Sequence, residues 1–245
     1  VRCRGGNFVY TEPEVARMEA EIVAFKRIGV AGVVLGLLTA DGPDHCGEVR
    51  VADLGISATP ELPADGHVIS CADFADRLKP RRRNTHKGSF GGVGILGGGK
   101  SMVGAALLAG RAALKMGTGR VYLGLHDPEA PPVDLGQPEL MLHRADTLLQ
   151  AELQALACGP GLGRSGEAIR LVEQALKCPL PVVLDADALN ILASDGRLEG
   201  NLYNRIAPAI LTPHPAEAAR LLGSSVREIQ ADRVGSAREL ARRYG

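Results

Sequence analysis

None of the cysteines in this 245-residue sequence are paired by spacing: Cys3, Cys46, Cys71, Cys158 and Cys178 form no C-x-x-C and are odd in number. Reduced thiols are therefore expected rather than a disulfide framework or a structural zinc site. The chain carries no net charge, with 28 Lys plus Arg against 28 Asp plus Glu. No bulk field draws it to nucleic acid or to an anionic membrane, and partners have to be argued from local features. Its longest nearly apolar run, VAGVVLGLLTA at 30–40, is far short of the roughly 20 residues of a membrane span. No basic, apolar, small-residue leader opens the chain, and a cytoplasmic protein is expected. An initiating Met is missing as well; the chain opens on Val1, which leads to the expectation of a fragment.

What is present is ordinary for a globular protein with a real core: 45% apolar and 23% charged residues. Its length suits one large domain, or one plus a fragment. Apolar runs of strand length at 30–38, 93–96, 120–125, 156–158, 181–184 and 209–211 alternate with helical patterns at 13–27, 102–116, 167–177, 217–222 and 226–244. In the first helix Val15, Met18, Ile22 and Phe25 share one face. Such alternation predicts an α/β fold, a parallel sheet covered by helices on both faces, with ligands beyond the carboxyl ends of the strands. The loop-rich stretch 43–84, with Pro60, Pro63, Pro80 and the basic cluster KPRRR at 79–83, reads as a connector.

The stretch GILGGGKS at 94–101 fits the spacing of a P-loop, G-x-x-x-x-G-K-[ST]. Its first glycine lies inside the apolar run VGIL, however, so strand occupies half of the supposed loop. The remainder is too short to wrap phosphates, and the following helix starts only near Val103. PVVLDAD at 181–187, an apolar strand ending in Asp, resembles a magnesium-binding second motif, but strand-end aspartates recur throughout parallel α/β folds. The helix after the glycines, MVGAALLAGRAALKM, is lined with small residues. That leaves two readings open: close packing of helix on sheet, or an anion site at the helix N-terminus.

Four segments carry a resemblance: HKGSFGGVGILGGGKSMVGAALLAGRAALKMGTGRV at 86–121, ACGPGLG at 157–163, VVLDADALN at 182–190 and LTPHPAEAARLLG at 211–223. In this order they resemble the ADP- or ATP-dependent NAD(P)H-hydrate dehydratases, across about 58–245 of the chain. The resemblance implies a three-layer ribokinase-like fold and repair of hydrated nicotinamide cofactors. It implies ADP or ATP with Mg2+, and a mechanism in which the nucleotide phosphorylates the substrate hydroxyl before phosphate leaves and NAD(P)H is restored. On the matching positions it implies substrate binding by Ala106, Gly161 and His214. A larger side chain at Ala106 would obstruct the substrate. A Cβ at Gly161 would prevent close backbone approach, and Pro213 and Pro215 aim the His214 ring. Asp185, Asp187 and Asn190 are candidates for polar lining, or alternatively for a helix cap after a strand. No metal ligand set is expected from the protein alone.

The sequence departs from this family after RELARRYG. The family's glycine-rich segment, with the aspartate that accepts the proton of the substrate hydroxyl, has no counterpart here, so no catalytic residue is assigned and the chain alone is expected to be inactive. At the other end RCRGGNFVYTEPEVARMEAEIVAFKRIGVAGVVLGLLTADG, 2–42, resembles the CutC copper-homeostasis family, a TIM barrel. GLLTADGPDHCGEVRVADLGI, 36–56, resembles the tail of an NAD(P)H-hydrate epimerase domain. The chain therefore reads as a composite: 1–42 a barrel fragment, 43–84 an epimerase-tail remnant and linker, 85–245 a partial dehydratase domain. The alternatives are a ribokinase-like small-molecule kinase, sharing the fold, and a CutC-like copper-binding protein. For the latter Cys3, His45 and Cys46 are eligible ligands with no local motif joining them. An unpaired sheet edge and an uncovered face are further expectations, and a homo-oligomer is compatible with them.

Overall fold

The computed structural model describes residues 13, 16, 71–75 and 83–245, which fall into two units, Val1–Lys79 and Pro80–Gly245. In the first unit Pro13 and Ala16 are helical and Cys71–Phe74 form a single helical turn. The rest of the helix expected at 13–27, the strand at 30–38 and most of the connector lie outside the described residues.

In the second unit the elements are β1 (Gly92–Gly97), α1 (Val103–Lys115), β2 (Arg120–Leu125), β3 (Met141–Arg144), β4 (Ala155–Cys158), α2 (Gly166–Lys177), β5 (Val182–Leu184), α3 (Asp187–Ser194), α4 (Gly196–Tyr203), β6 (Ala209–Leu211), α5 (Pro215–Leu222), α6 (Val226–Ala231) and α7 (Arg233–Tyr244). The strands form one wholly parallel sheet in the order β3-β2-β1-β4-β5-β6. The α/β reading of the sequence holds. Successive side chains of β1 point to opposite faces: Ile95 joins Ala106, Val121, Leu123, Leu125 and Leu140 beneath α1, while Leu96 joins Leu148, Leu156, Cys158 and Leu184 on the other side. That second cluster continues through the apolar faces of α2 to α7, including Leu171, Leu189, Leu198, Leu221 and Leu240.

Local chemistry explains the helix limits. Ser165 accepts the Ala168 N–H at the start of α2, and Asp195 accepts the Arg197 N–H at the start of α4. Gly223 ends α5 in the left-handed conformation. The segment 226–244, expected as one helix, is two: the chain breaks at Asp232, whose carboxylate caps α7 by accepting the Gly235 N–H. Three elements were not expected at all. Strand β3 is a half-exposed edge strand of only four residues, too polar and short to show alternation. Helices α3 and α4 are eight residues each, separated by Asp195 alone, and too short for a helical period to stand out.

Several glycines are required where chain segments touch. At Gly159 the backbone has φ +125°, and a Cβ would overlap the Asp185 carbonyl oxygen and crowd Ala188. Gly159→Ala should cost about 3 kcal/mol, combining a forbidden φ with a steric clash. In contrast, Gly200 is exposed inside α4 with open space around it, so Gly200→Ala should stabilise by about 1 kcal/mol. Urea unfolding midpoints of the two variants check both signs.

Candidate functional site

The connections reverse direction between β1 and β4: β2 and β3 lie to one side of β1, β5 and β6 beyond β4. In open parallel sheets the crevice at such a reversal, outside the carboxyl ends of the strands, is where ligands sit. Here two glycine turns occupy it. Gly98 N–H donates to the Pro160 carbonyl at 2.9 Å and Gly99 N–H to the Gly161 carbonyl at 2.6 Å. Such contact needs glycine on the β1 side, since a Cβ on Gly97 would overlap the Pro160 oxygen and one on Gly99 would lie 2.9 Å from the Leu162 oxygen.

This geometry also answers the GILGGGKS question. Residues up to Gly97 are strand, Gly98 turns at φ +63°, Ser101 sits in the left-handed region at φ 65°, and α1 begins at Val103. No loop is left to wrap a triphosphate. The glycines pack turn on turn.

Around this crossing the other expected residues are arranged unequally. Gly161 has φ +60°, and a Cβ there would meet the Met102 oxygen at 2.7 Å, so the close approach it allows is to the chain's own α1 entrance. Ala106 is completely buried beneath the crest among Val121, Leu123 and Leu125. Asp187 accepts the Gly163 N–H at 2.9 Å and lies 3.5 Å from the Arg164 guanidinium, tying the turn after β4 to the start of α3. Asp185 accepts a hydrogen bond from the Thr212 hydroxyl at 2.8 Å, which joins the ends of β5 and β6. Asn190 is buried one turn into α3; its amide donates to the Ala186 carbonyl and its oxygen accepts from Arg220 of α5 at 2.8 Å.

His214 is the N-cap of α5. Its Nδ1 accepts the N–H groups of Ala216 and Glu217 at 3.1 and 3.3 Å, and the buried Glu217 carboxylate accepts the His214 N–H at 3.0 Å. Nε2 lies 3.2 Å from the second Glu217 oxygen, consistent with the tautomer that carries its proton there. The ring is thus fixed in place yet mostly solvent-exposed. The sequence signal for Glu217 was present in H-P-A-E, the N-cap-x-x-Glu spacing of a capping box.

Three features of the crest escaped the sequence reading. Ala186, between the two aspartates, adopts φ 47° and ψ −112°, the conformation of the first central residue of a type II′ turn, normally glycine. The Ala188 N–H to Asp185 carbonyl bond closes that turn at 3.1 Å. His126 reaches across from the end of β2, its Nδ1 at 2.9 Å from the Leu162 carbonyl and its Nε2 at 3.6 Å from Glu167. Cys158, at the end of β4, is fully buried, and burial pushes its thiol up to about 12, which leaves it protonated and unreactive at neutral pH.

A parallel sheet with a direction reversal is a doubly wound α/β fold, here of the ribokinase-like class. Solved structures support it at the level of fold: a ribokinase-like superfamily protein from Enterococcus faecalis aligns at a TM-score of 0.59 with 21% identity, covering 71% of this chain and 62% of that one. More specifically, a family model for NAD(P)H-hydrate dehydratase matches residues 93–245, and the chain belongs to that family. The ADP-dependent (S)-NAD(P)H-hydrate dehydratase of Neisseria meningitidis is 42% identical over 176 residues, 70% of this chain and 59% of that protein. The bifunctional NAD(P)H-hydrate repair enzyme of Coxiella burnetii is 38% identical over 216 residues, 85% of this chain and 43% of that protein. The solved ADP/ATP-dependent NAD(P)H-hydrate dehydratase of Bacillus subtilis, co-crystallised with ATP/Mg2+, aligns at a TM-score of 0.55 with 34% identity, covering 68% of this chain and 60% of that one. The chain thus spans between about two fifths and three fifths of the length of these relatives. A second family model, the CutC family, matches residues 1–58, nearly all outside the described residues.

Strain at Ala186 costs of the order of 1–3 kcal/mol in an L-residue and is released by glycine. Ala186→Gly should therefore raise stability by about 1 kcal/mol after the entropy of the unfolded glycine is subtracted, measurable in urea. In the same protein, Cys158 should react with a thiol reagent only after unfolding.

Proposed function

We infer that the crest formed by 97–102, 159–163, 185–187 and 212–214 binds hydrated NAD(P)H for a nucleotide-dependent dehydration, as in the relatives. The observation that carries this reading is the crossing of the Gly98–Gly99 turn and the Gly161 turn at the sheet's direction reversal, with Asp187 tied to the same turn and Asp185 at the end of the neighbouring β5, in a chain of this family. In that reading Gly161 keeps the turn tight against α1, and the exposed His214 ring faces the ligand while its Nδ1 caps α5. Asp185, Asp187 and Asn190 line the polar side. Ala106 acts from below, its small side chain letting α1 lie close under the crest. ADP or ATP supplies the phosphoryl group that makes the substrate hydroxyl a leaving group. Among the described residues no group of three or more His, Cys, Asp or Glu side chains is placed to hold a metal ion. In this reading Mg2+ is carried largely by the nucleotide phosphates, its usual mode.

The setting we propose is cytoplasmic, with reduced thiols. Among the described residues no helix is long and apolar enough to cross a membrane. We also propose the division into 1–42, 43–84 and 85–245. It is supported by two unrelated family models matching successive parts of one chain. Neither the small-molecule kinase nor the copper-binding reading has an observation in its favour beyond the shared fold and the CutC match.

Isothermal titration with (S)-NADPH-hydrate in the presence of ADP and Mg2+ tests the site. The wild-type chain should bind, and His214→Asn should lose at least about tenfold in affinity, or 1.4 kcal/mol, while keeping its stability, because Asn retains an N-cap acceptor. No binding by the wild type, or unchanged affinity in His214→Asn, would sink the assignment.

A further inference from the structure

Glycine makes the crossing of the two turns possible and also leaves it without side chains to fasten it. Residues 97–99 are consecutive glycines, and Gly159, Gly161 and Gly163 alternate through the facing turn. Such segments regain more chain entropy on opening than any others. A side chain from a neighbouring strand supplies the fastening. The chain leaving β2 is tied to the first turn through its backbone: His126 N–H donates to the Gly97 carbonyl at 2.9 Å and Asp127 N–H to the Gly98 carbonyl at 3.0 Å. The His126 ring then reaches the second turn, where Nδ1 lies 2.9 Å from the Leu162 carbonyl oxygen. Strands β2 and β4 are not neighbours, because β1 lies between them in the sheet. One residue therefore grips both turns.

The chemistry of that grip is fixed by its partner. A carbonyl oxygen only accepts, so Nδ1 carries a proton whether the ring is neutral or charged. The His126 side chain is 14% exposed, so the bond is made in a medium where water competes little for it. The other nitrogen, Nε2, faces the Glu167 carboxylate at 3.6 Å, beyond hydrogen-bond length, and Glu167 is 59% exposed. A screened contact of that kind contributes little. The weight therefore falls on Nδ1. We propose that His126 is a positioning residue of the candidate site: its Nδ1–H bond to Leu162 holds the Gly161 turn against the Gly98–Gly99 turn and so keeps Gly161 in the conformation that the ligand meets. The bearing on the ligand rests on the function proposed above, whereas the grip itself does not.

Amide hydrogen exchange of the full chain, followed by NMR, tests the grip. In His126→Ala the Gly98 and Gly99 amides, which donate to Pro160 and Gly161, should exchange about tenfold faster, the effect of losing one buried hydrogen bond on local opening. The Leu156 and Val182 amides, bonded to Pro181 and Pro208 within the sheet, should keep their wild-type rates. Side-chain geometry then separates the two ring nitrogens. An Asn amide nitrogen sits where Nδ1 does, while that of Gln extends toward Glu167. His126→Asn should therefore exchange as the wild type does and His126→Gln as His126→Ala does, and Glu167→Gln should change nothing. A ring 1H–15N correlation of the wild type should place a proton on Nδ1. Unchanged Gly98 and Gly99 exchange in His126→Ala, equal acceleration at Leu156 and Val182, no rescue by Asn, rescue by Gln, or an Nδ1 without a proton would each overturn the grip. In titrations with (S)-NADPH-hydrate, ADP and Mg2+, His126→Ala should lose about tenfold in affinity and His126→Asn should retain it. Unchanged affinity in His126→Ala would overturn the positioning role. A wild-type chain that does not bind would overturn the proposed function and with it the ligand part, while the exchange rates alone decide the grip.

Discussion

Backbone contact between two turns is the constraint on which this structure rests. The turn after β1 and the turn after β4 cross closely enough for Gly98 and Gly99 to donate to Pro160 and Gly161, and a Cβ on Gly97 or Gly99 would not fit there. The crossing sets how far β1 and β4 extend before they turn and where α1 starts. Because β1 and β4 sit at the centre of the sheet, every other crest segment takes its position from them. His126 from β2, Asp187 from α3 and Gly159 against Asp185 all converge on the same turn.

The candidate site is therefore stiff rather than adaptable. His214 is held by two backbone donors and a buried carboxylate, Asn190 is bracketed by α3 and α5, and Asp185 is tied to β6 through Thr212. Two non-glycine residues of the crest have positive φ, Ser101 and Ala186, and the type II′ geometry of Ala186 turns the chain sharply between two aspartates. Strained backbone of this sort persists where the surroundings over-determine it, and such positions gather at binding sites.

Legibility in the sequence differed by residue. Apolar strands β1, β2, β4 and β5 showed themselves because buried parallel strands are nearly continuous hydrophobic runs, and the edge strand β6 through its apolar composition, whereas the polar edge strand β3 did not. Helices α2 and α5 were visible as helical patterns, although α5 was read from residue 217 and begins at Pro215. The break at Asp232 was not, since a cap and a mid-helix Asp look alike in sequence. Gly161 could be recognised as a glycine that mattered, but what it touches could not: the partner is Met102, some 60 positions earlier in the chain.

By itself the sequence determined the fold class and the family, because hydrophobic period and motif order are local properties written along the chain. It also decided which residues are conformationally permissive. The tertiary structure alone decided what that permissiveness serves: that the GILGGGKS glycines pack against another turn, that Ala106 lies wholly inside, and that His214 caps a helix while its ring stays exposed. Each of these depends on a contact between segments distant in sequence, and the free energy of such contacts exists only once the sheet has brought the segments together.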